Sequence, residues 1–210
     1  MAADVDLVNR ALMMLGGETI SAMPANIAAA DSPNAATAFL LYQPTVDELL
    51  AEYPWRFAVR RVQLTKLAGS PPNNVYKYQF SLPANTLRVI DVNVASGVWE
   101  FYRDASGDSR ILYVDDYTSW DQVNNIPIVW ADVIIRPTSQ EYYPTHFQRA
   151  VVARLAKAFA MPVTRRTEFF SSFSQMAEVE VGRAKMQDWN EQPWPELDDG
   201  NLIAEARYAV

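Results

Sequence analysis

Apolar residues recur with helical spacing near both ends of the 210-residue chain, whereas the middle alternates with a period of two. The first predicted helix begins at Asp4, which can cap it, and ends at Gly16. The second begins at Ser32, a good N-cap, with Pro33 at its first position. Pro44 lies in the middle of this second helix and is expected to kink or split it.

The alternating region covers about residues 57–137 and predicts a small antiparallel β unit. Its clearest strand runs over 76–82, where aromatic and aliphatic residues alternate with polar ones, as in a strand with one wet face. Further strand-like runs, each bounded by turn residues, cover 59–66, 87–94, 98–103, 110–114 and 126–136.

The helical period returns after this region. A broad apolar stripe from Phe147 to Phe159 predicts a central helix that ends at Met161-Pro162. A last helix is predicted over 165–189, with an inner face made of Phe170, Phe173, Ala177, Val181 and Ala184.

The predicted fold class is therefore α+β. Residues 1–56 and 138–189 are expected to form a helical bundle of two N-terminal and two C-terminal helices. Residues 57–137 form an inserted antiparallel β domain, and residues 190–210 form an extended acidic tail.

The charge of the chain is uneven. The net charge is −7, and six acidic residues oppose one basic residue after position 187. An acidic chain without clustered Lys and Arg is a poor candidate for wrapping nucleic acid. In the tail, Trp189, Trp194 and Tyr208 are candidate docking anchors, and Asp198 and Asp199 would meet basic residues of a partner.

The sequence offers little chemistry. It has no cysteine and one histidine, His146, which is expected to be a surface or capping residue at a helix start. Without cysteine a structural zinc site is not expected, and no phosphate-binding loop is present. No catalytic, cofactor-binding or metal-binding residue is therefore predicted.

One enzymatic alternative stays open. Asp115 and Asp116 lie close in sequence to Tyr113, Tyr117 and Trp120, a composition suited to sugar binding. Glycosidases need only a pair of carboxylates. The two aspartates are therefore candidates for a carbohydrate-active site, although adjacent aspartates are also common in solvated turns.

No apolar run is long enough to span a membrane, and the N-terminal residues lack the basic and apolar regions of a signal peptide. Synthesis in a cytoplasm is therefore expected.

Several motifs, taken together in order and spacing, resemble one known family. They are Leu7–Gly16, Tyr53–Ala58 leading into Arg61–Leu64, Tyr76–Pro83 with Leu87–Val89, Phe147–Ala160, and Ala184 with Asp188. The combination resembles the tail tubular protein A family, the head-to-tail adaptors of short-tailed bacteriophages, over about residues 5–190. The long acidic tail departs from the family pattern.

The resemblance implies a non-enzymatic virion protein at the head–tail junction. It implies a dodecameric ring that binds the portal protein above and a tail nozzle or stopper protein below. Double-stranded DNA would pass through the channel without being read, which suits an acidic or neutral lumen. Another virion or assembly protein, such as a tail-fibre adaptor or chaperone, remains a second possibility beside the carbohydrate-active enzyme.

Overall fold

The computed structural model describes residues 2–69, 71, 75–94, 98–103, 110–122 and 126–191. Within these ranges the chain has a mixed α+β fold with helices and antiparallel sheets, which confirms the predicted class. The helices are α1 (Ala2–Met14), α2 (Pro33–Glu52), α3 (Thr145–Phe159) and α4 (Thr167–Asn190).

Nine strands lie between α2 and α3 in the described residues. They are β1 (Val59–Gln63), β2 (Thr65–Lys66), β3 (Tyr78–Ser81), β4 (Thr86–Asn93), β5 (Trp99–Arg103), β6 (Arg110–Val114), β7 (Ser119–Asp121), β8 (Ile126–Ile128) and β9 (Trp130–Ile135). They pair in a three-stranded sheet of order β1-β9-β4, a four-stranded sheet of order β2-β3-β6-β5, and the hairpin β7-β8.

The two N-terminal helices follow their sequence signals with two exceptions. The Ser32 hydroxyl accepts a hydrogen bond from the Ala35 amide at 3.1 Å, so the predicted N-cap of α2 is confirmed. Helix α1 begins before Asp4. Asp4 therefore lies in the first turn and does not cap the helix, and its negative charge interacts favourably with the helix dipole. Helix α2 continues through Pro44 without splitting, because this proline is on the solvent side, where water can satisfy a freed carbonyl.

Helix α3 packs against each of the other three helices, so its predicted central position is confirmed. It passes into a π-helical turn over Ala160–Thr164, and Arg165 then adopts a left-handed conformation with φ 57°. The predicted inner face of α4 is wrong at one residue. Phe170 is 43% exposed, since the helix meets α3 mainly through its later turns, where Ala177 and Val181 are buried.

Two hydrophobic cores meet at the three-stranded sheet. Neighbouring residues of β9 point to opposite faces, so Ile134 joins the core of the helices and Val133 joins the core of the β region. Ala58, just before β1, also belongs to the helical core. The sheet is therefore shared by both cores. The domain boundaries at 57 and 137 stay a prediction.

Candidate functional site

The most unusual polar cluster in the described residues lies where the end of α4 meets the start of α3. A turn after α2 forms its floor, and Trp55 in that turn is fully buried. The Trp55 indole N–H donates to the Leu49 carbonyl at 2.8 Å, and its ring makes an edge contact with Phe147 of α3 at 4.9 Å. These contacts hold the turn against α3 at the position of His146.

His146 is buried, with a side chain only 3% exposed, so its predicted surface position is wrong. It lies in the first turn of α3, on the side of the helix that faces Trp55 and the last turn of α4. Its Nε2 is 3.6 Å from Asp188 Oδ1, and its Nδ1 is 3.6 Å from Glu191 Oε1. Both distances exceed hydrogen-bond length, and Nε2 has no hydrogen-bond partner among the described residues.

Asp188 is a second buried polar residue of this cluster, at 1% exposure. Its Oδ2 accepts a long hydrogen bond of 3.4 Å from the Arg56 amide. Burial raises the pKa of Asp188, and the Arg56 amide and His146 only partly oppose this effect. The negative charge at Asp188 also contributes, after burial, to a raised pKa of Tyr53.

The cationic side chains around the cluster are engaged by other carboxylates. Lys185 of α4 and Arg154 of α3 both contact Glu52 at the end of α2, at 2.6 Å and 2.8 Å. Arg154 also reaches Glu178 at 3.2 Å. This network joins α2, α3 and α4, and none of its cations pairs with Asp188 among the described residues.

The cluster therefore gathers one imidazole and two carboxylates, and no Lys or Arg side chain of the described ranges contacts Asp188. One ligand atom from each of His146, Asp188 and Glu191 can be chosen so that all three lie within 4.8 Å of one another. Such a set can hold a cation, and it contains neither a hydroxyl nor a thiol group. Sequence spacing could not reveal it, since the imidazole belongs to α3 and both carboxylates lie at the end of α4.

The aspartates of the carbohydrate alternative are engaged locally. Asp115 is 3.6 Å from the Lys77 ammonium group, and Asp116 accepts a hydrogen bond from the Tyr117 amide at 2.8 Å. Trp120 contacts Tyr117 edge-on at 5.3 Å, so part of the predicted aromatic grouping exists. The adjacent Tyr113 does not join it. Instead its ring stacks between those of two tyrosines, Tyr76 and Tyr102, at 6.0 and 5.4 Å.

Of the predicted docking residues, only Trp189 is described. It lies in the last turn of α4 and is 63% exposed. Trp194, Asp198, Asp199 and Tyr208 lie outside the described residues.

Trp189 continues an outward apolar stripe on α4. Val179 and Met186 precede it at helical spacing and are 51% and 69% exposed. They lie opposite the buried face that contains Ala177 and Val181, so α4 carries apolar residues on both sides. We call Val179, Met186 and Trp189 the outer stripe of α4.

Neither a family model nor a curated protein matches the chain. Among the described residues, no helix combines the length and apolar character needed to cross a membrane.

Proposed function

We propose that the chain is a subunit of the head-to-tail adaptor ring of a tailed bacteriophage, positioned in the virion between the portal and the tail nozzle. Residues 1–56 and 138–189 form its bundle, and residues 57–137 form an inserted β domain. The motifs that resemble the tail tubular protein A family support this fold assignment, because their apolar residues are structural. Leu12, Trp55, Phe80 and Phe147 are all fully buried.

The observation that carries the functional proposal is two groups of exposed apolar side chains, one on α4 and one on α1. The outer stripe of α4 is one of them, and Val179 and Met186 are its members at the contact between subunits. Met13 and Met14 at the end of α1, 67% and 44% exposed, form the other. A ring of identical subunits needs two different complementary surfaces on each copy, since each contact is heterologous. Large apolar residues grouped on a surface also mark sites of protein association.

Ring assembly through these surfaces is tested by placing charges in them. Met186→Glu introduces a carboxylate in the outer stripe and should weaken subunit association at least tenfold, measured by analytical ultracentrifugation in the presence of the portal. Glu178→Gln on the same helix is the control, because it changes the charge of an exposed residue that lies outside the outer stripe. Equal assembly by Met186→Glu and wild type would exclude the outer stripe from the ring contact.

The acidic charge of the chain suits a conduit. Double-stranded DNA must slide through the ring, and strong phosphate binding would hold it in place. A net charge of −7 repels phosphate. The proposal therefore places acidic residues toward the channel, and a ring lumen dominated by Lys and Arg in an assembled particle would contradict it.

We assign portal binding to residues 190–210 and to Trp189, which directly precedes them. A segment with aromatic anchors and carboxylates suits a basic, partly apolar groove of a portal protein. A chain ending at Glu191 should keep its fold and lose portal binding in a sedimentation assay. Trp189→Ala, at an exposed position, should weaken that binding with little effect on stability. Full portal binding by the shortened chain would refute this assignment.

A further inference from the structure

The cluster of His146, Asp188 and Glu191 has the chemistry of a metal site. A charge-assisted hydrogen bond between an imidazole and a carboxylate is about 2.7–2.9 Å long. The His146 Nε2 to Asp188 Oδ1 distance is 3.6 Å, although both side chains are almost fully buried. The two groups attract each other electrostatically, but at this distance they are too far apart for a hydrogen bond of ordinary length.

The same distance fits two ligands of one ion. With metal–nitrogen and metal–oxygen distances of about 2.1 Å, ligand atoms 3.6 Å apart subtend about 120° at the ion, not far from tetrahedral coordination. The unpartnered Nε2 is the ring nitrogen that faces Asp188. An imidazole nitrogen with a free lone pair is a common metal ligand.

The charges of the cluster also favour a bound cation. Asp188 is 1% exposed, and no Lys or Arg side chain contacts its carboxylate in the part of the chain that the structure describes. An ionised carboxylate in such a place requires a counter-charge. A divalent cation would balance the charges of the Asp188 and Glu191 carboxylates.

Glu191 is the adjustable member of the set. Its side chain is 52% exposed at the end of α4, and its carboxylate faces Nδ1 of His146 at 3.6 Å. One of its oxygens lies within 4.8 Å of an Asp188 oxygen and of one of the two imidazole nitrogens, whereas atoms bound to one ion are separated by at most about 4.2 Å. To reach an ion at Nε2, the Glu191 carboxylate would have to turn away from Nδ1, and its exposed position leaves room for this rotation and for a water ligand.

We propose that His146 Nε2 and the carboxylates of Asp188 and Glu191 form a binding site for one divalent transition-metal ion, such as Zn²⁺. An imidazole with two carboxylates favours Zn²⁺, Co²⁺ or Mn²⁺ over Ca²⁺ and Mg²⁺, which prefer all-oxygen sites. The ion would join the start of α3 to the end of α4. The site is independent of the ring proposal, and either can fail without the other.

The test uses the full chain after chelation and desalting. Calorimetric titration with Zn²⁺ should give one site of micromolar affinity, and Zn²⁺ should raise the melting temperature through preferential binding to the folded state. Because the chain has a single histidine, its imidazole NMR signals report directly on ligation. They should shift on addition of Zn²⁺ at constant pH and stay unchanged with Mg²⁺.

Variants separate the site from adventitious binding. His146→Gln should abolish the Zn²⁺ effects, and Glu191→Gln, at an exposed position, should weaken binding about tenfold while preserving the fold. Glu178→Gln, another exposed carboxylate of α4, is the control and should bind like wild type. An imidazole signal that responds to pH but not to Zn²⁺ would overturn the proposal, because a proton would then be the counter-charge. Zn²⁺ binding that Glu191→Gln leaves unchanged would overturn it as well.

Discussion

Trp55→Phe offers a quantitative test of how the candidate site is held. The substitution keeps an aromatic ring but removes the indole N–H that donates to the buried Leu49 carbonyl at 2.8 Å. Loss of one such hydrogen bond costs about 1 kcal/mol. The smaller ring also leaves a cavity beside Phe147, which costs about 1–2 kcal/mol more. The free energy of unfolding should therefore fall by about 2–3 kcal/mol.

The assay is equilibrium urea denaturation, followed by circular dichroism at several wavelengths. Trp189→Phe is the matched control, because the same chemical change at a 63% exposed residue should alter stability by less than about 0.5 kcal/mol. Equal losses for the two variants would refute the view that Trp55 anchors the turn. For portal binding the order of the two variants should be reversed: Trp189→Phe should weaken binding more than Trp55→Phe does.

Three further predictions follow from ion pairs and backbone geometry. Arg136 pairs with Asp47 through two hydrogen bonds and ties the end of β9 to α2, so Arg136→Met should lower the unfolding free energy by about 1–3 kcal/mol in urea. Pro44→Ala should raise the unfolding free energy by about 1–3 kcal/mol, since alanine restores a helical N–H, and an unchanged denaturation midpoint would contradict this. Hydrogen bonds from Arg61 lower the pKa of Asp132, so the folded state binds this proton less tightly than the unfolded state does. This stabilisation is present at pH values above the pKa of Asp132 in the unfolded chain, and it is lost as the pH falls through the pKa in the folded chain. Asp132→Asn should therefore reduce the dependence of the unfolding free energy on pH in the acid range, measured by denaturation at a series of pH values.

Much of the fold follows from local sequence signals. The stripe from Phe147 to Phe159 predicts α3, because a helix buried on several sides needs apolar residues around most of its circumference. The strand over Arg110–Val114 is predicted with its observed bounds. In contrast, β7 is missed, since Ser119–Asp121 is too short to show alternation. The prediction for Phe170 fails because helical spacing cannot tell how far along α4 the contact with α3 extends.

The candidate site could not be predicted in the same way. A lone histidine at a helix start is ordinarily exposed, and nothing near His146 in sequence indicates that the end of α4 covers it. Composition assigns Asp188 to the acidic region near the C-terminus, yet it lies on the buried side of its helix. The outer stripe of α4 lies opposite the predicted inner face, but helical spacing alone cannot show whether another part of the fold covers it. Tertiary packing, not local pattern, determines these positions.

The most direct test of the adaptor proposal is the mass and shape of the full-length protein with and without a portal ring. Light scattering and negative-stain microscopy should show that the chain joins the portal as a stacked ring on the portal axis. A compact monomer or small oligomer that ignores the portal at high concentration would contradict the adaptor assignment.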